Sequence, residues 1–84
     1  LASVSLKKDK ELIALGRAIS ELRREKGMTQ EELSERVKLH ESYISFIEGG
    51  RRNPSWITVL RISRGLKVPL LELVQRAEAA RRKR

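Results

Sequence analysis

The sequence predicts an all-α fold, five short helices forming one domain. Three observations predict it. Apolar residues return at spacings of three and four in segment after segment, no segment alternates with period two, and capping residues, glycines and prolines punctuate the periodic stretches. At 84 residues the chain has room for only one small core, and it contains no cysteine, so neither disulfides nor thiolate metal sites can support that core.

Residues 1–8 read as a flexible lead-in, residues 9–80 as the folded domain and residues 81–84 as a basic tail. Asp9 suits the N-cap of the first helix. Leu12, Leu15, Ile19 and Leu22 then share one helical face, and Gly27 supplies a left-handed stop. Thr29 opens the second helix and Glu32 stands three residues on, the spacing of a capping box. Leu33 and Val37 are the apolar pair of that helix. Lys38-Leu39-His40 is a short connection to a third helix, Glu41 to Glu48, which carries Ile44 and Ile47 and ends at Gly49-Gly50. Arg51-Arg52-Asn53-Pro54 is a loop, because the residue before a proline avoids helical geometry. Ser55 caps a fourth helix, Trp56 to about Arg64, with Val59, Leu60 and Ser63 expected inward. Pro69 fits the first turn of a fifth helix that runs from Leu70 to about Ala80, with Leu70, Leu73, Val74 and Ala77 at helical spacing.

Nineteen Lys and Arg against eleven Asp and Glu give a formal charge of +8. That excess favours a polyanionic partner, whether DNA, RNA or an anionic membrane surface, and does not choose among them. Half of it comes from Arg81, Arg82, Lys83 and Arg84. No apolar run approaches the ~18 residues of a membrane span, and a cytoplasmic location fits the composition. The chain has one histidine, no Ser–His pair, no glycine-rich phosphate loop and no metal-ligand constellation. The expectation is a binding protein, not an enzyme, with no cofactor and no small-molecule ligand.

Two helices of about two turns joined by three residues cannot be stable alone. In a helix-turn-helix the first braces the second, which enters the major groove of duplex DNA. Residues 30–49 have that form. At 100° per residue, Ile44 and Ile47 define the buried side of the third helix. Ser42, Ser45 and Phe46 then project outward, with Glu41 and Tyr43 on the flanks. This face has no Lys or Arg, although 19 of 84 residues are basic. Short polar groups that approach base edges closely suit a base-reading surface.

Thr29-Gln30-Glu31-Glu32-Leu33, Tyr43-Ile44-Ser45, Ile47-Glu48 and Gly50-Arg51-Arg52-Asn53-Pro54-Ser55 closely resemble the Cro and phage-repressor (XRE-type) family of helix-turn-helix regulators. The flanks agree, with Leu15-Gly16-Arg17, Ile19 and Leu22-Arg23 before the motif and Leu60-Arg61-Ile62 and Leu66 after it. The resemblance implies a five-helix, lambda-repressor-like domain that binds double-stranded DNA as a homodimer and regulates transcription. By position it implies base contacts from Gln30, Glu41, Ser42, Ser45 and Phe46. It implies phosphate contacts from Arg23, His40, Tyr43, Arg51, Arg52 and Asn53. The chain departs from the family at Lys38, where a glycine is usual, so either Lys38 adopts a left-handed conformation at a cost of about 1 kcal/mol or the turn differs slightly from the family's. His40 stands where Ser or Thr usually caps the recognition helix, and Gly49 replaces a residue often basic.

Trp56, Ile57, Leu71 and Val74 give the last two helices more apolar surface than one small domain can cover, and they are the expected dimer interface. A symmetric dimer would place two recognition helices about 34 Å apart on a palindromic operator. A controller protein of a restriction-modification system resembles this chain in size. The sequence leaves two other readings open, an antitoxin that binds a toxin as well as its own promoter, and a DNA-binding domain detached from a larger regulator.

Overall fold

The computed structural model describes residues 9–83, so the expected lead-in over 1–8, and Arg84 of the expected tail, lie outside the described residues. The elements in chain order are α1 (Lys10–Glu25), α2 (Gln30–Val37), α3 (Glu41–Glu48), α4 (Trp56–Gly65) and α5 (Leu70–Arg82), with no strand among the described residues.

Local chemistry sets most of the boundaries. The Asp9 carboxylate accepts from the backbone N–H groups of Glu11 and Leu12, which start α1. Thr29 Oγ1 accepts from Glu32 N at 3.0 Å, while Glu32 Oε1 accepts from Thr29 N at 2.8 Å, so both halves of the capping box form. Ser55 Oγ accepts from Thr58 N to start α4. Pro69 caps α5 without a side-chain bond, one position earlier than the first-turn place expected for it. Gly27 and Gly50, with φ of 68° and 74°, take the left-handed geometry that ends α1 and α3. The fifth helix continues through Arg82, so Arg81 and Arg82 belong to α5 and not to a tail.

The core is a single cluster. Ile19, Leu22, Leu33, Ile44, Ile47, Ile62, Leu66 and Leu73 are fully enclosed, with Leu15, Leu39, Tyr43, Val59, Leu70 and Ala77 packed around them. Burying each large aliphatic side chain contributes roughly 1.5–3 kcal/mol. The inward face of α4 agrees with expectation at Ser63, and at Val59 in so far as it packs on the core from a half-buried position, and differs from it at Leu60. The buried residues of the helix are Thr58, Ile62 and Ser63, while Val59 and Leu60 are only half-buried. Thr58 and Ser63 can go inside because their hydroxyls are bonded, Thr58 Oγ1 accepting from Ser55 Oγ and Ser63 Oγ donating to the Leu60 carbonyl.

Helix α5 lies along α1. Arg76 pairs with Glu21 and Glu25, and Arg81 pairs with Glu11, so the two helices run in opposite directions. On this frame α1 packs on α3, α3 on α2, and α2 on α4. No helix among the described residues is long and apolar enough to cross a membrane.

Two carboxylates titrate abnormally for local reasons. The bond to the Arg76 guanidinium holds Glu25 below its ordinary value, and the Thr29 backbone N–H does the same for Glu32. A depressed folded pKa contributes stability that is fully present above the unfolded value and lost as pH falls through the folded one. Stability should therefore decline as pH drops below about 4.5, the ordinary value of both groups. A Glu25→Gln/Glu32→Gln variant should show a shallower decline in thermal midpoint between about pH 5 and pH 3. Parallel curves for the two proteins would mean that other carboxylates govern acid unfolding.

Candidate nucleic-acid interface

Helix α3 is held on three sides. Ile44 and Ile47 anchor one face in the core. At its N-terminus His40 Nδ1 accepts from Ser42 N at 3.2 Å. His40 therefore serves as a working N-cap, in the place where Ser or Thr was the expected chemistry. The Ser42 hydroxyl lies 2.9 Å from the same ring nitrogen, so the His40 ring and the Ser42 side chain are held together at the start of α3. Ser42 itself is exposed on the outward side of α3.

At the other end, Glu48 joins α3 to both preceding helices. Arg23 Nε donates to Glu48 Oε2 at 2.7 Å and Arg23 Nη2 to Oε1 at 3.0 Å, a two-pronged pair. Arg23 Nη1 donates to the Met28 carbonyl at 2.8 Å. Both side chains are nearly enclosed, at 10% and 6% exposure. Donating to Glu48 raises the pKa of Arg23 further above its already high ordinary value. The expectation that Arg23 is a phosphate contact is thus corrected. All three of its nitrogens are spent inside the protein, and its role is to fix α3 against α1. Gln30 Nε2 also donates to Glu48 Oε1, at 2.9 Å. A carboxylate only accepts, so the Gln30 amide nitrogen is the atom turned toward Glu48.

Of the two courses open to the turn between α2 and α3, the chain takes the left-handed one. Lys38 has φ 60° and ψ 43°, and the Leu39 N–H bonds the Ser34 carbonyl at 3.1 Å. Arg61 of α4 donates to the carbonyls of Val37 and Lys38, which clamps the end of α2 in this geometry. Arg61 stands out only in the folded chain, since nothing local in the sequence announces a bond across 24 positions.

The outward face is as the helical spacing predicts. Glu41, Ser42, Ser45 and Phe46 are exposed, with Phe46 at 38%, and Tyr43 is half-buried against the core. The loop after α3 begins with a turn at Gly50 that lets Arg51 N bond the Phe46 carbonyl at 2.8 Å. Arg51, Arg52 and Asn53 are exposed, and buried Pro54 anchors the loop's far end. The loop also alters the expected charge of the reading face, because the Arg52 guanidinium lies over the Phe46 ring, 5.6 Å from its centroid. Helix α3 carries no cation of its own, yet one reaches its outward face from the loop.

Trp56, Ile57, Leu71 and Val74 stand clear of the core, at 61%, 62%, 65% and 43% exposure. The last two helices thus present apolar side chains that the single chain does not cover.

Three comparisons bear on this arrangement. Residues 19–73 match the family model HTH_3, described as helix-turn-helix. The chain is similar to the HTH-type transcriptional regulator y4dJ of Sinorhizobium fredii, with 45% identity over 60 residues that cover 71% of this chain and 78% of the relative. It is similar to the control protein C.MunI of a Mycoplasma species, with 39% identity over 62 residues, covering 73% and 84%. Among solved structures it resembles the restriction-modification controller protein C.Esp1396I, determined as a tetramer in complex with its natural 35-base-pair operator. There the TM-score is 0.85 and the identity 32%, over 90% of this chain and 100% of the other.

Proposed function

The chain belongs to the helix-turn-helix family HTH_3, and on that footing we propose that it is a sequence-specific regulator of transcription, acting in the cytoplasm as a homodimer on a palindromic DNA operator. The family is one of DNA-binding regulators and not of enzymes. The observation that carries the reading is α3 itself. Its inner face is locked by Ile44 and Ile47 and its end by Glu48, while Ser42, Ser45 and Phe46 are left outward on a rigid support. Rigid presentation is what base discrimination needs, since a misplaced hydrogen-bonding group gains nothing at a base edge.

Base contacts fall to Ser42, Ser45 and Phe46, with Glu41 at the leading edge and Gln30 beside it. Phosphate contacts fall to Arg51, Arg52, Asn53, His40 and the Tyr43 hydroxyl. Trp56, Ile57, Leu71 and Val74 form the dimer contact. Similarity to C.MunI and C.Esp1396I supports a restriction-modification controller within this class.

Selection of bound sequences from random duplex DNA tests the proposal. The expected outcome is a palindromic consensus whose half-sites lie about one helical turn, ~10 base pairs, apart. Phe46→Ala should change the preferred base at one position per half-site, at a cost of about 1–3 kcal/mol on the original consensus. Failure to enrich any sequence, or a consensus without symmetry, would sink the operator-binding dimer.

A further inference from the structure

A shallow groove runs between the start of α1 and the end of α5. Its floor is Ile13, Ala14 and Ala80. Lys10 and Arg17 of α1 stand on one side, and Arg81, Arg82 and Lys83 on the other. Arg81 is engaged, since its Nε donates to Glu11 at 3.1 Å. Lys10, Arg17, Arg82 and Lys83 take part in no ion pair among the described residues.

The fold gains little from these four cations. Lys10 sits in the first turn of α1, where the helix dipole disfavours a positive charge. Arg17, in the middle of α1, completes no cap and no internal bridge. Like charges gathered on one surface lower the stability of a small domain. An anionic ligand would offset that cost.

The position of the groove identifies the ligand. Ile13, on its floor, lies directly against Gly50, where a Cβ would stand 3.1 Å from Ile13 Cα and 3.3 Å from Ile13 N. The groove therefore opens where the Arg51–Asn53 loop begins, at the C-terminal end of α3. Cations thus stand both in the groove and on the loop that begins beside its floor. The groove's small alanine floor lets a sugar-phosphate strand approach closely.

We propose that the α1–α5 groove is a second track for the DNA backbone, holding the phosphates that flank the half-site read by α3. The proposal rests on the DNA-binding reading above and extends its footprint beyond the motif.

The test uses the duplex recovered by random selection in two lengths, trimmed to the consensus and extended by about one helical turn (~10 base pairs) of unrelated sequence on each side. The wild-type protein should bind the extended duplex about tenfold more tightly than the trimmed one. An Arg17→Ala/Arg82→Ala variant should lose that advantage while keeping its affinity for the trimmed duplex, and the slope of log affinity against log salt on the extended duplex should fall by about 2. Both residues are exposed and the Arg81–Glu11 pair is untouched, so a thermal midpoint no lower than that of the wild type confirms that the variant folds. Equal wild-type affinity for the two lengths would overturn the groove while leaving operator binding intact. So would an equal loss by the variant on both, and either result would leave an acidic protein segment as the groove's occupant. Failure to bind any duplex would instead remove the DNA-binding reading, and the groove proposal with it.

Discussion

Glu48→Ala is expected to lower the unfolding free energy by about 3–5 kcal/mol, the range for breaking a buried pair by removing one partner. The loss is large because the charge left behind has nowhere to go. Arg23 is nearly enclosed, its guanidinium stays protonated, and Met28's carbonyl would be its sole remaining partner. Gln30 loses its acceptor at the same time. A small domain has only about 5–15 kcal/mol in total, so the variant should be substantially unfolded at moderate urea concentrations. The control is the double variant Arg23→Met/Glu48→Leu. It removes both charges, retains apolar volume and should recover much of the lost stability. Urea denaturation at neutral pH, followed by helical circular dichroism, measures both proteins. If Glu48→Ala cost less than about 1 kcal/mol, the pair would be an exposed, screened contact and not the anchor of α3. The recovered double variant separates stability from function, because Gln30 would still have lost the carboxylate that orients it.

Gly16→Ala should be the second most damaging change, although alanine is the better helix former. Removing a mid-helix glycine ordinarily stabilises by roughly 0.5–1 kcal/mol. Here the new methyl would stand 2.5 Å from the Ile47 carbonyl oxygen, with the Glu48 carbonyl also in its way. These are backbone atoms at the end of α3 and cannot rotate aside, so α1 and α3 must separate. The net loss should reach about 2 kcal/mol, within the usual range for overpacking. The same displacement tilts the Ser42–Phe46 face, so affinity for the selected sequence should fall further than affinity for random duplex. Gly27→Ala gives the comparison. Nothing lies within 4 Å of a methyl there, and its cost comes only from the left-handed φ of 68°. It should lose about 1 kcal/mol and leave sequence preference unchanged. A Gly16→Ala protein as stable and as selective as the wild type would show that the α1–α3 contact is looser than these distances.

Both changes act on contacts that a reading of the sequence does not reveal, and the reason is separation along the chain. Arg23 and Glu48 are 25 positions apart, and Gly16 meets residues more than 30 positions away. By contrast, the features that were legible all act within about one helical turn. Asp9, Thr29 and Ser55 each bond a backbone N–H two or three residues on, and the Ile44–Ile47 spacing fixes which side chains of α3 face outward. The misreadings follow the same division. On α4 Leu60 was expected inward, whereas Ile62 holds the core position and Thr58 is admitted because Ser55 satisfies its hydroxyl. Arg23 looked free because its charge is visible in the sequence and its partner is not.

The sequence by itself determined five helices, most of their caps and the outward set Ser42, Ser45 and Phe46, since each follows from the backbone needs of a helix end or from the helical period, while the left-handed Lys38 was one of two readings that the resemblance allowed. Only the tertiary structure decided which charges are spent within the protein and which remain for a ligand. Arg23 and Arg61 go inside to Glu48 and to the end of α2, Arg52 turns over Phe46, and Lys10 and Arg17 line up with the end of α5. Those assignments depend on how α1, α3, α4 and α5 lie against one another. A guanidinium binds whichever acceptor packing brings within about 3 Å, and residue type and local spacing do not specify that neighbour.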